Sequence, residues 1–206
     1  MEVTVAVATF GAERWRALAH SRALPSAHAA GAAEVVHVHT DHDLAEARNA
    51  ALALVRTEWV VYLDADDELE GGYLDAMAAG TADVRAPAVR YVHGGGAATT
   101  PRLPNVAGHT HACCADCLPN GNWLVIGSAV RADMLRAAGG WREFPWSEDW
   151  SVWLRCHLAG ATFEPIPAAI YRAHVSKFSR NRGAPQATRL AAHRAILVDA
   201  GLGVEP

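Results

Sequence analysis

Lysine is almost missing from this chain: Lys177 is the only one, and every other basic side chain apart from histidine is an arginine. The formal charge is −4, so there is no basic surplus, which argues against a general binder of polyanions. No uncharged apolar run reaches the roughly 18 residues that mark a membrane-spanning helix. The opening M-E-V-T-V-A-V-A-T-F carries no basic leader segment and reads as a first strand, so a soluble, cytoplasmic protein is expected. Cysteine is scarce as well, with 4 residues, and Cys113, Cys114 and Cys117 crowd behind two histidines in H-T-H-A-C-C-A-D-C. Without a secretory context that pattern favours metal binding over a disulfide framework. His109, His111, Cys114 and Cys117 are a candidate structural Zn²⁺ set; reduced thiols in a His-rich loop are the alternative, since the spacing fits no standard finger.

What the chain has in quantity is apolar residue: 51% of 206 positions, enough for one well-buried domain. Trp59-Val60-Val61-Tyr62-Leu63 is a continuous apolar run of strand-forming residues, the pattern of a strand buried on both faces of a mainly parallel sheet. It ends in D-A-D-D-E-L. Asp64, Asp66 and Asp67 then lie at the carboxyl end of a strand, the edge where open α/β sheets bind ligands. Clustered carboxylates repel one another unless a cation or proton neutralises them, and Mg²⁺ or Mn²⁺ with a diphosphate is the natural partner. A polar turn capping the next helix is the plainer alternative.

The elements around that run alternate. Val3 to Ala8 predicts a first strand, ending at Thr9-Phe10-Gly11. Glu13 to Leu24 predicts a helix stopped by Pro25. Glu34 to His39 predicts a second strand, and Asp43 with Glu46 a capping-box-like start for a helix carrying Leu44, Ala47, Ala51, Leu52 and Val55 on one face. Such a β-α-β-α-β rhythm implies a doubly wound α/β sheet. A short helix around Tyr73 to Ala79 and a strand over Ala82 to Val92 follow. From Gly94 to Asn122 the periodicity vanishes, as in a lid or binding loop. Trp123 to Ile126 predicts a strand, Ala132 to Ala138 a helix ended by Gly139-Gly140, Ser147 the cap of a helix stopped at Gly160, Thr162 to Tyr171 an extended segment, and Gln186 to Ala200 an amphipathic helix. One domain over 1–206 is expected, with the irregular insert at 94–122 and the last helix at 186–200.

Glu148-Asp149 falls in the first turn of the Ser147 helix, where the helix dipole favours an ionised carboxylate able to accept a proton. Upstream is G-G-W-R-E-F-P-W-S-E-D-W; downstream is Y-R-A-H-V-S-K-F-S-R-N, with Arg172, His174, Lys177 and Arg180 for phosphates.

V-T-V-A-V-A-T-F, A-E-A-R-N-A-A, V-V-Y-L-D-A-D-D and A-G-G-W-R-E-F-P-W-S-E-D-W-S-V-W-L-R with Y-R-A-H-V-S occur in that order, and together the chain resembles the family 2 glycosyltransferases of GT-A fold. The resemblance spans most of the chain apart from the insert and the last helix. It implies a mixed, mainly parallel sheet flanked by helices, and a metal-dependent glycosyltransferase using a nucleotide-diphosphate sugar donor. By the same resemblance Asp66 would hold Mn²⁺ or Mg²⁺, with Asp64 near the ribose and a metal ligand, Asp67 supporting, and His174 a further metal or phosphate contact. Thr9, Phe10, Arg48 and Arg172 would hold the nucleotide sugar. Asp149 would be the catalytic base of a direct, inverting displacement. Trp146, beside Pro145, and Glu148 are candidate acceptor contacts. The acceptor itself, whether glycan, small molecule, protein or nucleic acid, is not legible here.

One departure stands out. Where the family normally has a strand ending in an acidic D-D-G-S-like segment and a further stretch before A-R-N, only E-V-V-H-V-H-T-D-H-D occupies that space, so part of the base-reading region is shortened or replaced; Asp41 either hydrogen-bonds a uracil or caps a helix, as Asp43 also can. Two rival readings remain: a catalytically inactive sugar-nucleotide or zinc-binding module, and a haloacid-dehalogenase-like phosphatase with Asp64 as nucleophile, Asp66 as acid/base, Lys177 as phosphate clamp and Asp149 as metal ligand. The second lacks the family's usual turn after D-x-D. Arg48 as a solvated helix arginine and His174 as a turn histidine are the corresponding structural readings.

Overall fold

The computed structural model describes residues 1–105, 114–175 and 185–203. Strand β1 (Val3–Phe10) lies between β2 (Glu34–Thr40) and β3 (Trp59–Leu63), parallel to both, with Val5 opposite Val35 on one side and Val61 on the other. Both β1 up to Thr9 and all of β3 are buried, as strands covered on two faces must be. Outward from β3 come β6 (Ala129–Arg131), β5 (Val84–Val92), β7 (Phe163–His174) and the two-residue edge strand β4 (Glu68–Leu69). β6 runs antiparallel between β3 and β5, β5 and β7 are parallel, and β4 is antiparallel to β7. The sheet is therefore mixed and mainly parallel, as the sequence implied. Among the described residues no helix is long and apolar enough to cross a membrane.

The segment after β1 departs from expectation. A helix α1 (Glu13–Leu18) passes into a π-helical turn, Ala19–Ala23, and then into α2 (Leu24–Ala29), so Pro25 does not stop it. Proline is harmless in a first helical turn, where its missing N–H would have no intrahelical partner, and the π turn resets the ladder just ahead of it. That wide turn also carries Arg22 to the acidic loop: its guanidinium donates to the Asp66 carbonyl at 2.6 Å, while Ser26 accepts the Leu69 N–H at 3.3 Å.

Helix α3 (Leu44–Leu54) starts as expected, with Asp43 Oδ1 accepting the Glu46 N–H at 2.7 Å. Its buried face is mostly alanine, Ala45, Ala47 and Ala51, which lets it lie close on β1 and β2. Helix α4 (Tyr73–Ala78) and α5 (Ala132–Ala137) follow their predicted ranges closely, and the latter ends at Gly139 and Gly140, both with positive φ. Trp123 to Ile126 is buried but joins no strand; the ladder positions beside β3 and β5 are taken by β6 instead. Trp123, Leu124 and Ile126 pack into the core, so an apolar run reads as a strand without strand pairing. A 3₁₀ turn, Ala115–Asn120, precedes it. Helix α6 (Glu148–Leu158) and helix α7 (Gln186–Asp199) complete the order. Trp150, Trp153, Tyr62, Tyr73 and Tyr171 are the largest buried side chains. Trp141 packs edge-on against both Tyr62 and Trp153, with ring centres 4.8 and 6.1 Å apart, so three of the four tryptophans between 141 and 153 are core.

Candidate active site

The carboxyl ends of β1 and β3 open onto a cleft of about 660 Å³. After Leu63 the chain turns tightly, with the Asp67 N–H donating to the Asp64 carbonyl at 3.0 Å. The turn sorts its acids. All three line the cleft, but Asp67 is buried and already engaged by β7, where Tyr171 Oη donates to it at 2.8 Å and the His174 N–H at 2.7 Å. Burial, then the charges of Asp64 and Asp66, hold the Asp67 carboxyl well above the usual carboxylate range. Asp66 is raised too, by burial first and by Asp64 second, the state of neighbouring carboxylates short of a cation.

The opposite wall is the start of α6. Its N-cap, Ser147, has left-handed backbone angles (φ 56°, ψ 38°), the one non-glycine with positive φ among the described residues, and its side chain caps nothing. The helix start is held by Asp149 instead, whose Oδ1 accepts the Trp150 N–H at 2.9 Å while Oδ2 accepts Asn122 Nδ2 at 3.0 Å. The dipole argument for a low Asp149 pKa fails. Burial, reinforced by the Glu148 charge, pushes this carboxyl up to about 7 against the pull of Arg48, Asn122 and the Trp150 N–H. Removal from water outweighs half a charge at a helix end.

Arg48 joins the two walls. It is 2% exposed, so it is no solvated helix arginine. One guanidinium nitrogen donates to Glu148 Oε1 at 2.9 Å and another to Asp64 Oδ1 at 3.1 Å. Its charge also sits over the Trp141 ring, 4.5 Å from the centre, an arrangement that suits a planar, weakly hydrated cation. The acidic turn and the E-D pair thus lie within one guanidinium's span.

Of the residues singled out from sequence, Thr9, Phe10, Arg48, Asp64, Asp66, Asp67, Trp146, Glu148 and Asp149 line this cleft. The Thr9 hydroxyl lies between two histidines of β2, 3.1 Å from His37 Nε2 and 3.0 Å from His39 Nδ1. Three others are elsewhere. Asp41 has a 95% exposed side chain whose carboxylate is 3.9 Å from His39. The β4–β7 register sets Arg172 opposite Glu68, and its guanidinium pairs with Glu68 and Glu70 at 3.5 and 3.8 Å. His174 Nε2 is 2.5 Å from Glu68 Oε2, which occupies the nitrogen that the sequence reading offered to a metal. His109 and His111 lie outside the described residues; Cys114 is exposed and Cys117 buried, with sulfurs 3.8 Å apart.

Among the described residues no three His, Cys, Asp or Glu side chains converge as a metal cage. The donor set does suit a hard divalent ion held in part by its ligand: Asp64 and Asp66 present oxygens to the cleft, and such ions keep positions for water and phosphate. Sequence reasoning missed Asn122, Tyr171 and Arg22. Asn122 closes an insert without periodicity, Tyr171 sits in a strand, and Arg22 reaches the loop only through the π turn; nothing in their local pattern marks them.

A mixed sheet with an acidic turn beyond its central strand, facing a helix-start carboxylate across a cleft, is the GT-A architecture. Residues 22–105 match the model of the family described as Glycosyl transferase family 2, a segment that includes Arg48, Asp64 and Asp66 and ends ahead of Asp149; the resemblance recognised in the motifs is borne out. Among solved structures the chain is similar to S. aureus TarS 1–349 in complex with UDP-GlcNAc, at TM-score 0.67 and 16% identity, covering 97% of this chain and 66% of that one. TarS 1–349 without ligand (TM-score 0.64, 16% identity) and with UDP (0.63, 17%) are similar over 97% of this chain and 65% of theirs. This chain thus spans just under two thirds of those structures' length. No curated protein matches the sequence. The D-x-D follows β3 and not β1, whereas the phosphatase alternative normally has it at the end of the first strand.

Proposed function

We propose that this chain transfers a sugar from a nucleotide-diphosphate sugar to an acceptor hydroxyl, with Asp149 as base and inversion at the anomeric carbon. The observation that carries the reading is Arg48, bonded at once to Asp64 and Glu148, which keeps donor-side and base-side carboxylates on facing walls of one cleft. The TarS complexes supply the donor class: UDP-GlcNAc is the compound named in the best-scoring of them.

In this reading Phe10 and the end of β1 line the nucleotide side of the cleft. Asp64 and Asp66 would hold a Mg²⁺ or Mn²⁺ ion, which when bound stabilises the charge on the departing diphosphate. Asp149 takes the proton of the acceptor hydroxyl. Its pKa of about 7 suits that task near neutral pH, where a base must be both ionised in part and basic enough to pull. Each of its oxygens makes one hydrogen bond and keeps a lone pair for the incoming proton. Glu148, engaged by Arg48, acts on the base through its charge rather than by touching the acceptor. Trp146 offers an aromatic wall beside the base, suited to an apolar sugar face.

Thermal shift with UDP-GlcNAc, and with GDP, ADP, CDP and dTDP sugars, tests this, with and without Mn²⁺, on the wild type and on Asp66→Asn. One nucleotide should stabilise only with metal, by about 2.7 kcal/mol at a hundredfold excess over Kd, and the Asn variant should lose that response. A folded sample that responds to none of them sinks the transferase reading, and with it an inactive sugar-nucleotide module.

A further inference from the structure

We propose that Asn122, the last residue of the irregular insert, is a positioning residue that aims the Asp149 carboxylate. The inference rests on the transferase reading above and adds to it the part that the insert plays.

The amide of Asn122 has one possible orientation. Its Oδ1 accepts the Leu124 N–H at 3.0 Å, so the NH₂ group is the half that faces Asp149 Oδ2, at 3.0 Å. The other oxygen of Asp149 is held by the Trp150 N–H of its own helix. With one oxygen fixed by α6 and the other by the insert, the plane of the carboxylate is set. The insert is itself anchored to the same turn of α6: Trp150 Nε1 donates to the Leu118 carbonyl at 2.8 Å inside the core. Asn122 and Asp149 both line the cleft, so this contact sits at the reacting surface and not behind it.

The donor is neutral, and its effect is directional. Glu148 and Arg48 are the charges that act on Asp149, in opposite senses. The elements packed against α6 bring Asp116 on the 3₁₀ turn, Asp133 and Arg136 on α5, and His193 and Asp199 on α7. An amide N–H aimed at the carboxylate favours its charged form, keeping a buried base beside Glu148 ionisable.

The test separates aiming from mere loop support. Asn122→Asp keeps the shape and the acceptor for Leu124, but replaces the donor with a second carboxylate; Asn122→Ala removes both bonds. The Asp149 carboxyl is titrated by carbon NMR in aspartate-labelled protein, assigned by its absence in Asp149→Asn. Release of UDP from UDP-GlcNAc with Mn²⁺ and water as acceptor is followed over pH. We expect Asn122→Asp to melt close to the wild type, yet raise the Asp149 pKa by about one unit or more, move the acid limb of the rate profile with it, and lower kcat about tenfold at neutral pH with KM little changed. An Asn122→Asp variant whose Asp149 titrates as in the wild type, with only Asn122→Ala impaired, overturns the proposal and leaves Asn122 as loop support. UDP release undiminished in Asp149→Asn would instead bring down the base assignment itself, while the titration still decides the Asn122 contact.

Discussion

Replacing Asp149 by Asn should abolish transfer and yet stabilise the protein above neutral pH. Its carboxyl is raised from the ordinary 3.8 to about 7 by burial and by Glu148. A carboxyl raised on folding favours the native state below its unfolded pKa, and that advantage is lost as pH rises through the folded value. The shift of roughly three units corresponds to a ceiling of about 4 kcal/mol at 1.36 kcal/mol per unit. Asp149 borders the open cleft, where solvent screens it, so about half of that is a fair working figure. The Asn variant keeps an acceptor for the Trp150 N–H but turns an NH₂ group toward that of Asn122, a mismatch costing about 1 kcal/mol. About 1 kcal/mol of net gain remains at pH 8, or a rise of roughly 2–4 °C in Tm for a chain of this size. At pH 4 to 5 the wild type is already protonated there, and the gap should vanish or reverse. Differential scanning calorimetry of both proteins at pH 5 and pH 8 measures this. A variant less stable than the wild type at pH 8, or a gap that does not widen with pH, would refute the burial argument.

Arg48→Met should leave Glu148, whose side chain is only 12% exposed, without its cation, costing about 3–5 kcal/mol at pH 8 in urea denaturation. Gly127→Ala should destabilise by about 1–3 kcal/mol, because a Cβ there would overlap the Tyr171 ring. Tyr171 holds Asp67 and approaches the Asp64 N–H at 3.4 Å, so metal-dependent nucleotide binding, measured by calorimetry, should weaken as well. Ser147→Gly should raise stability by about 0.5 kcal/mol, since the left-handed angles cost a non-glycine residue about 1–2 kcal/mol and glycine's extra unfolded entropy returns part of it; no cap bond is lost.

Where one local pattern sufficed, the chain read correctly. β3 was bounded to the residue by its apolar run, and the start of α3 by Asp43. Where two local rules competed, the reading failed. Pro25 signals a stop only if the helix before it is regular, and the π turn removes that premise. Trp123 to Ile126 carries strand-like burial because it lies on the core beneath the cleft, yet β6 fills the place in the ladder.

The order of motifs along the chain was enough to fix the family resemblance and the two acid-bearing turns, because strand, cap and acidic signals are all short-range. Which carboxylates are already engaged was decided by tertiary structure. Asp67 is taken up by Tyr171 and the His174 N–H of β7, although it too lines the cleft. Arg172 pairs with Glu68 because the antiparallel register sets the two side by side, and His174 Nε2 meets the same carboxylate. The Asp149 carboxyl is raised to about 7 because folding removes it from water next to Glu148, an effect greater than that of the helix dipole a sequence can reveal. Spacing along a chain determines which groups can meet, and only packing determines how much water and charge surround them when they do.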